Sequence, residues 1–131
     1  MEQTEKSLRY EVNEYIKTKY NAEPEFLWSK FPNYAVYRHA ENRKWFGIIM
    51  DVKKSRLGNF DDTVADILNV KLSSDMEVAF FMQQDGIFKG YHISRGSWIS
   101  ILLDGTVSLE AIYGLIDESF AVTLGKKFRN K

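Results

Sequence analysis

The sequence predicts an α+β fold of two layers, an antiparallel sheet with helices on one face, in the order α-β-β-β-α-β-β-α. Apolar residues recur at helical spacing at both ends of the chain and once in the middle, and alternate between those places. The alternating runs fall into adjacent pairs joined by short polar loops, which implies antiparallel pairing. At 131 residues, with 44% hydrophobic and 15% aromatic side chains, the chain has material for one core and is short for two. Residues 1–131 are therefore read as a single domain.

Leu8, Val12, Tyr15 and Ile16 lie on one helical stripe, with Arg9, Glu11, Glu14 and Lys17 between them, predicting an amphipathic helix from Thr4 to about Tyr20. Asn21 to Asn33 holds both prolines, Pro24 and Pro32, and reads as a packed connector that must bury Phe26, Leu27, Trp28 and Phe31. Tyr34–His39 and Lys44–Val52 form the first predicted hairpin; simple alternation puts Phe46, Ile48, Met50 and Val52 on one face and Trp45 and Gly47 on the other. A third strand, Val64–Leu72, places Leu68, Val70 and Leu72 opposite Ile67, Asn69 and Lys71.

Ser74 followed by Glu77 has the form of a capping box, and Met76, Ala79, Phe80 and Gln83 continue at helical spacing until Gly86. Tyr91–Ile93 and Trp98–Leu103 then read as a second hairpin around a tight Ser94-Arg95-Gly96-Ser97 turn. Ser108 caps a last helix with the stripe Leu109, Ile112, Ile116 and Phe120, ending at Gly125 and followed by a basic tail of Lys126, Lys127, Arg129 and Lys131. With all three helices on one face, the other face of the sheet is expected to be partly open.

Eighteen basic and eighteen acidic side chains leave no net charge, so any attraction for a polyanion must come from local patches. Residues 43–56 carry an excess of cations, and residues 104–118 carry acids alone. Cysteine is absent, which removes disulfides and thiolate metal sites and suits a reducing compartment. The first residues lack the apolar core of a signal peptide, and no apolar run is long enough to span a bilayer, so a cytoplasmic protein with no membrane partner is expected.

The segments Gly90-Tyr91-His92, Trp98, Leu103-Asp104-Gly105 and Leu115-Ile116-Asp117-Glu118-Ser119-Phe120 resemble the MmcQ/YjbR-like family, as do Leu68-Asn69-Val70-Lys71 and Lys44-Trp45-Phe46. That resemblance covers most of the chain and implies a CyaY-like fold, whose hairpins have been described as a double-wing DNA-binding motif. It implies no catalytic residue.

Alternation places Trp98, Ser100, Asn69, Lys71, His92 and Trp45 on the face away from the helices, with Arg43-Lys44 and Arg95 at the hairpin tips. Rings for stacking and cations for phosphate make Arg43, Lys44, Lys71, His92, Arg95 and Trp98 the candidate nucleic-acid contacts. The competing reading is packing: Trp45 and Trp98 lie under the connector, with the Lys71 stem along them. No metal or cofactor site is expected, since His39 and His92 lack a ligand spacing, and no Ser-His-Asp set, cysteine nucleophile or phosphate loop points to an enzyme. Three readings follow: a DNA-binding module with two wings, a protein-interaction or dimerising adaptor, and a small-ligand binder. The resemblance favours the first.

Overall fold

The computed structural model describes residues 7–58, 61–93 and 95–125. Its elements are α1 (Arg9–Tyr20), β1 (Ala35–Arg38), β2 (Trp45–Lys53), β3 (Val64–Lys71), α2 (Asp75–Phe81), β4 (Ile87–Lys89), β5 (Trp98–Leu102) and α3 (Leu109–Leu124), with a short 3₁₀ turn at Lys54–Leu57. The five strands form one antiparallel sheet in the order β1-β2-β3-β5-β4. This is the predicted α+β class and the predicted element order.

On one face Val12 and Ile16 of α1, Val78 of α2, and Ile112, Leu115 and Ile116 of α3 pack on Ile49, Leu68, Val70, Ile99 and Ile101 of the sheet. α1 and α3 are sewn together by stacked rings: Tyr15 on Tyr113 and Tyr20 on Phe120, both with centroids 3.9 Å apart. Beside them Asp117 of α3 accepts from the Tyr20 hydroxyl at 2.6 Å, the Tyr15 hydroxyl at 2.9 Å and the Lys19 ammonium at 3.0 Å. Burial raises the Asp117 pKa, but these donors outweigh it and hold the carboxyl below its ordinary value.

The helix starts and stops follow local chemistry. The Ser7 hydroxyl accepts from the Arg9 amide and donates to Asp66, which sets the described start of α1; the predicted start at Thr4 lies outside the described residues. Ser74 accepts from the Glu77 amide and Ser108 from the Ala111 amide, so both predicted caps form. The phase of α2 differs from the prediction: Val78 is buried and Phe81 half-buried, while Met76 and Phe80 are 82% and 60% exposed. Seven residues make two turns, too few for periodicity to define a face, and the tether at the helix start decides it.

β2 departs from simple alternation. Tyr37 pairs with Gly47 but Arg38 pairs with Trp45, so Phe46 is an extra residue and the strand bulges there. Phe46 therefore turns to the helices, against His39, Tyr20 and Phe120, and Trp45 joins Ile48, Met50 and Val52 on the second face. The predicted grouping of Phe46 with Ile48, Met50 and Val52 is thereby corrected.

The second face is not open. Val36, Ile48, Met50, Val52, Ile67 and Leu102 form a second buried cluster, roofed by Trp28, Tyr34, Leu57, Phe88, Tyr91 and Ile93. Trp28 reaches Trp45 edge to face at 5.9 Å. Of the connector's large side chains Trp28 is half-buried; Phe26, Leu27 and Phe31 stay exposed, contrary to the expectation that all four find cover. A polar chain pins the roof: the Tyr91 amide donates to Ser100, Ser100 to Asn69, and Asn69 to the Met50 sulfur.

Candidate nucleic-acid interface

Strand direction decides where the hairpin tips lie. β2 begins at the first tip, so in an antiparallel sheet β3 must end at that same end, β5 begin there and β4 end there. The loops 39–44 and 90–97 and the end of β3 at Lys71 are consequently neighbours along one rim of the sheet. The middles of the two hairpins are three strand spacings apart, about 14 Å.

The first tip is built on a buried histidine. His39 is 1% exposed, its Nε2 lies 2.7 Å from Thr123 Oγ1, and its backbone groups pair with Lys44 and Arg43. The Thr123 hydroxyl donates to the Ser119 carbonyl, so His39 Nε2 is the donor to it. Burial lowers the His39 pKa, which favours the neutral ring. Asn42 then donates to the carbonyls of Thr123 and Leu124, closing the end of α3 against the tip. Arg43 takes a left-handed backbone at φ 63° and its guanidinium lies 3.6 Å from Glu25, which also holds Arg38 at 2.8 Å. Lys44 is exposed.

The second tip differs from the predicted tight turn. β4 is Ile87–Lys89, and Tyr91–Ile93 lies in the loop, so residues 90–97 form a long connection in place of a four-residue turn. The cause is the pairing Lys89↔Ile99 with Gly90 donating to the Trp98 carbonyl, a register set by burying Ile87 beside Ile101. Gly90 permits this closeness: a Cβ there would lie 2.8 Å from that of Trp98. Gly96, at φ 84°, folds back so that its Cβ position is 3.2 Å from Lys71 Cε and 3.3 Å from Trp98 Nε1. Ser94 lies outside the described residues.

Of the six candidate contacts, Lys71, Trp98 and the loop carrying Arg95 are brought together at the second tip, while Arg43 and Lys44 stand at the first. Trp98 and Trp45 are both half-buried against the second cluster, Trp45 edge to face with Trp28 of the connector. His92 is exposed with a left-handed backbone at φ 59°, its ring 4.1 Å from that of Tyr91. Arg43 is shared with Glu25, whereas Lys44, Lys71 and Arg95 have no ion-pair partner among the described residues. Lys89, which the sequence reading did not select, adds a fourth such cation and lines a cleft of about 520 Å³ with Asp75, Val78, Met82, Gly96 and Ser97. Its place at the end of β4 becomes visible once that strand is shifted upstream. The basic tail lies outside the described residues.

Three helices and a five-strand antiparallel sheet with two hairpin tips on one rim define the class, a two-layer α+β domain. The profile of the YjbR family matches residues 17–122, and the chain belongs to that family. It is 38% identical over 115 residues to YyaQ of Bacillus subtilis (strain 168), an uncharacterised protein, covering 88% of this chain and 97% of that one. A crystal structure of a Pseudomonas syringae protein, 34% identical, superposes with a TM-score of 0.84 over 88% of this chain and 97% of the other. A Deinococcus radiodurans protein of the DUF419 domain, 18% identical, shares the fold with a TM-score of 0.69 over 97% of this chain and 86% of its own. No helix among the described residues is long and apolar enough to cross a membrane.

Proposed function

We propose that this protein is a non-enzymatic, cytoplasmic module that binds DNA through the rim carrying its two hairpin tips. The observation that carries the reading is the placement of Lys44, Lys71, Lys89 and Arg95 on that rim, none of them with an ion-pair partner among the described residues. A rim whose two hairpin tips lie about 14 Å apart can set cations against several phosphates of a polyanion whose charges repeat every few ångströms. The neutral overall charge makes the contact local and weak at high salt. Because the second face is roofed by Trp28, Tyr91 and Ile93, Trp98 supports the rim and the phosphate contacts supply the affinity.

The test is fluorescence anisotropy of labelled single- and double-stranded DNA at two salt concentrations. Micromolar or tighter binding that weakens steeply with salt supports the module; no binding at low salt rejects it. A second reading, a protein-interaction or dimerising adaptor, has Met76 and Phe80 in its favour, two large apolar side chains facing solvent on α2. A mass that rises with concentration in solution would select that reading.

A further inference from the structure

At the seam between α2 and α3 two carboxyl groups share one donor. The Ser73 amide donates to Glu77 Oε1 at 3.1 Å and to Glu118 Oε2 at 3.2 Å, and the Ser73 hydroxyl donates to Glu77 Oε1 at 2.8 Å. The Ser73 N–H and O–H are neutral donors and do not offset two adjacent negative charges, which favours one proton held by the pair. The same segment is tied to the second hairpin tip: the Leu72 amide donates to the Ser97 carbonyl at 2.7 Å, and the Ser97 hydroxyl donates to Asp75 at 2.6 Å.

We propose that Glu77 and Glu118 form a proton-operated latch that holds the first turn of α2, and through Asp75 and Ser97 the second hairpin tip, against α3. With the proton in place the Glu118 carboxyl donates to Glu77, and Ser73 is clasped by both. Without it the two carboxylates repel, the first turn of α2 separates from α3, and the Asp75–Ser97 bond carries the displacement into the loop.

The surrounding charges leave the pair to itself. On α2, Asp75 is engaged by Ser97; on α3, Asp117 is engaged by Tyr15, Tyr20 and Lys19; at the end of β3, the Lys71 stem lies against Gly96 on the other face of the sheet. No ion pair to Glu77 or Glu118 occurs among the described residues. Burial, and then the hydrogen bond and charge of Glu77, raise the Glu118 carboxyl to about 7, while bonds from Glu118 and Ser73 lower that of Glu77. The transition therefore falls near neutral pH. Because the folded pKa of Glu118 is raised, the latch's contribution to stability is complete below the ordinary glutamate value and is lost as pH rises through about 7.

The experiment follows the Ser73 and Ser97 amide resonances of the full chain from about pH 5.5 to about pH 8, in the wild type, in Glu118→Gln and in Glu77→Gln, with thermal unfolding at both ends of that range. The wild type should show both amides moving together with a midpoint near 7, and a melting temperature several degrees lower at the alkaline end. Glu118→Gln removes the titrating group and should lose the shared midpoint and most of the melting shift, whereas Glu77→Gln removes the repulsion but leaves Glu118 buried, so its midpoint should move down without vanishing. An unchanged midpoint in both variants, or a Ser73 transition that Ser97 does not follow, overturns the latch. The test requires no nucleic acid, so its outcome stands apart from that of the binding experiment.

Discussion

The Ser119 hydroxyl of α3 donates to the Phe46 carbonyl of β2 at 2.6 Å and accepts from the Lys71 amide of β3 at 2.9 Å. Extending the β2–β3 register beyond Ile48↔Asn69 would bring Phe46 and Lys71 opposite each other, so one helical hydroxyl stands where a ladder bond would be. The bulge at Phe46 parts the strands, and Ser119, fully buried, fills the gap. Replacing Ser119 by Ala leaves a carbonyl and an amide without partners and is expected to cost about 1–3 kcal/mol in urea unfolding, with the sheet otherwise intact. A change below about 0.3 kcal/mol would mean that the strands close on each other without it.

The two cations of the first tip should not be equivalent. Arg43 already faces Glu25 and Lys44 faces solvent, so Lys44→Glu is expected to weaken DNA binding more than Arg43→Glu in the anisotropy titration. Neutralising one phosphate contact should also flatten the logarithmic salt slope by about 0.9 for duplex DNA. Equal losses for the two variants would place the contact elsewhere on the tip.

Asp117 joins α1 to α3 through three donors. Its carboxyl is held below the ordinary aspartate value, so its stabilisation is complete above that value and is lost as pH falls through the lowered one. Asp117→Asn should lower stability near neutral pH and flatten the acid limb of a pH–stability curve measured by circular dichroism. An acid limb as steep as in the wild type would assign it to other carboxylates.

Two glycines, Gly47 within β2 and Gly90 just past β4, should respond differently to alanine. At Gly90 the new Cβ meets Trp98 Cβ at 2.8 Å and the Trp98 backbone at 3.2 Å, so Gly90→Ala is expected to cost about 1–3 kcal/mol and to disorder the second tip. At Gly47 the nearest atoms, on Tyr37 and Leu68, are 3.7 and 3.8 Å away, an ordinary contact, so Gly47→Ala should be neutral or stabilise by about 0.5–1 kcal/mol. Melting temperatures of the two variants compare the effects directly.

Much of the architecture is legible in the chain because it rests on local chemistry. Ser74 and Ser108 cap helices wherever they precede a helical stripe, and the alternation Ile99, Ile101, Leu103 against Trp98, Ser100, Leu102 needs no knowledge of a partner. The misplacements share one cause. The face taken by Phe46 depends on a one-residue bulge against β1, the start of the second hairpin depends on burying Ile87 beside Ile101, and the exposed face of α2 depends on where Ser73 is held; each is a long-range contact.

The candidate rim divides in the same way. The hydrophobic spacing, the caps and the hairpin signals were enough to determine the fold class and the order of its elements, because helix and strand periods are properties of neighbouring residues. Which cations stand together was decided only by the tertiary structure. Antiparallel pairing carries Lys44, Lys71, Lys89 and Arg95 to one rim, and packing turns Trp98 into its support, since proximity across strands is created by register and burial and has no signature along the chain.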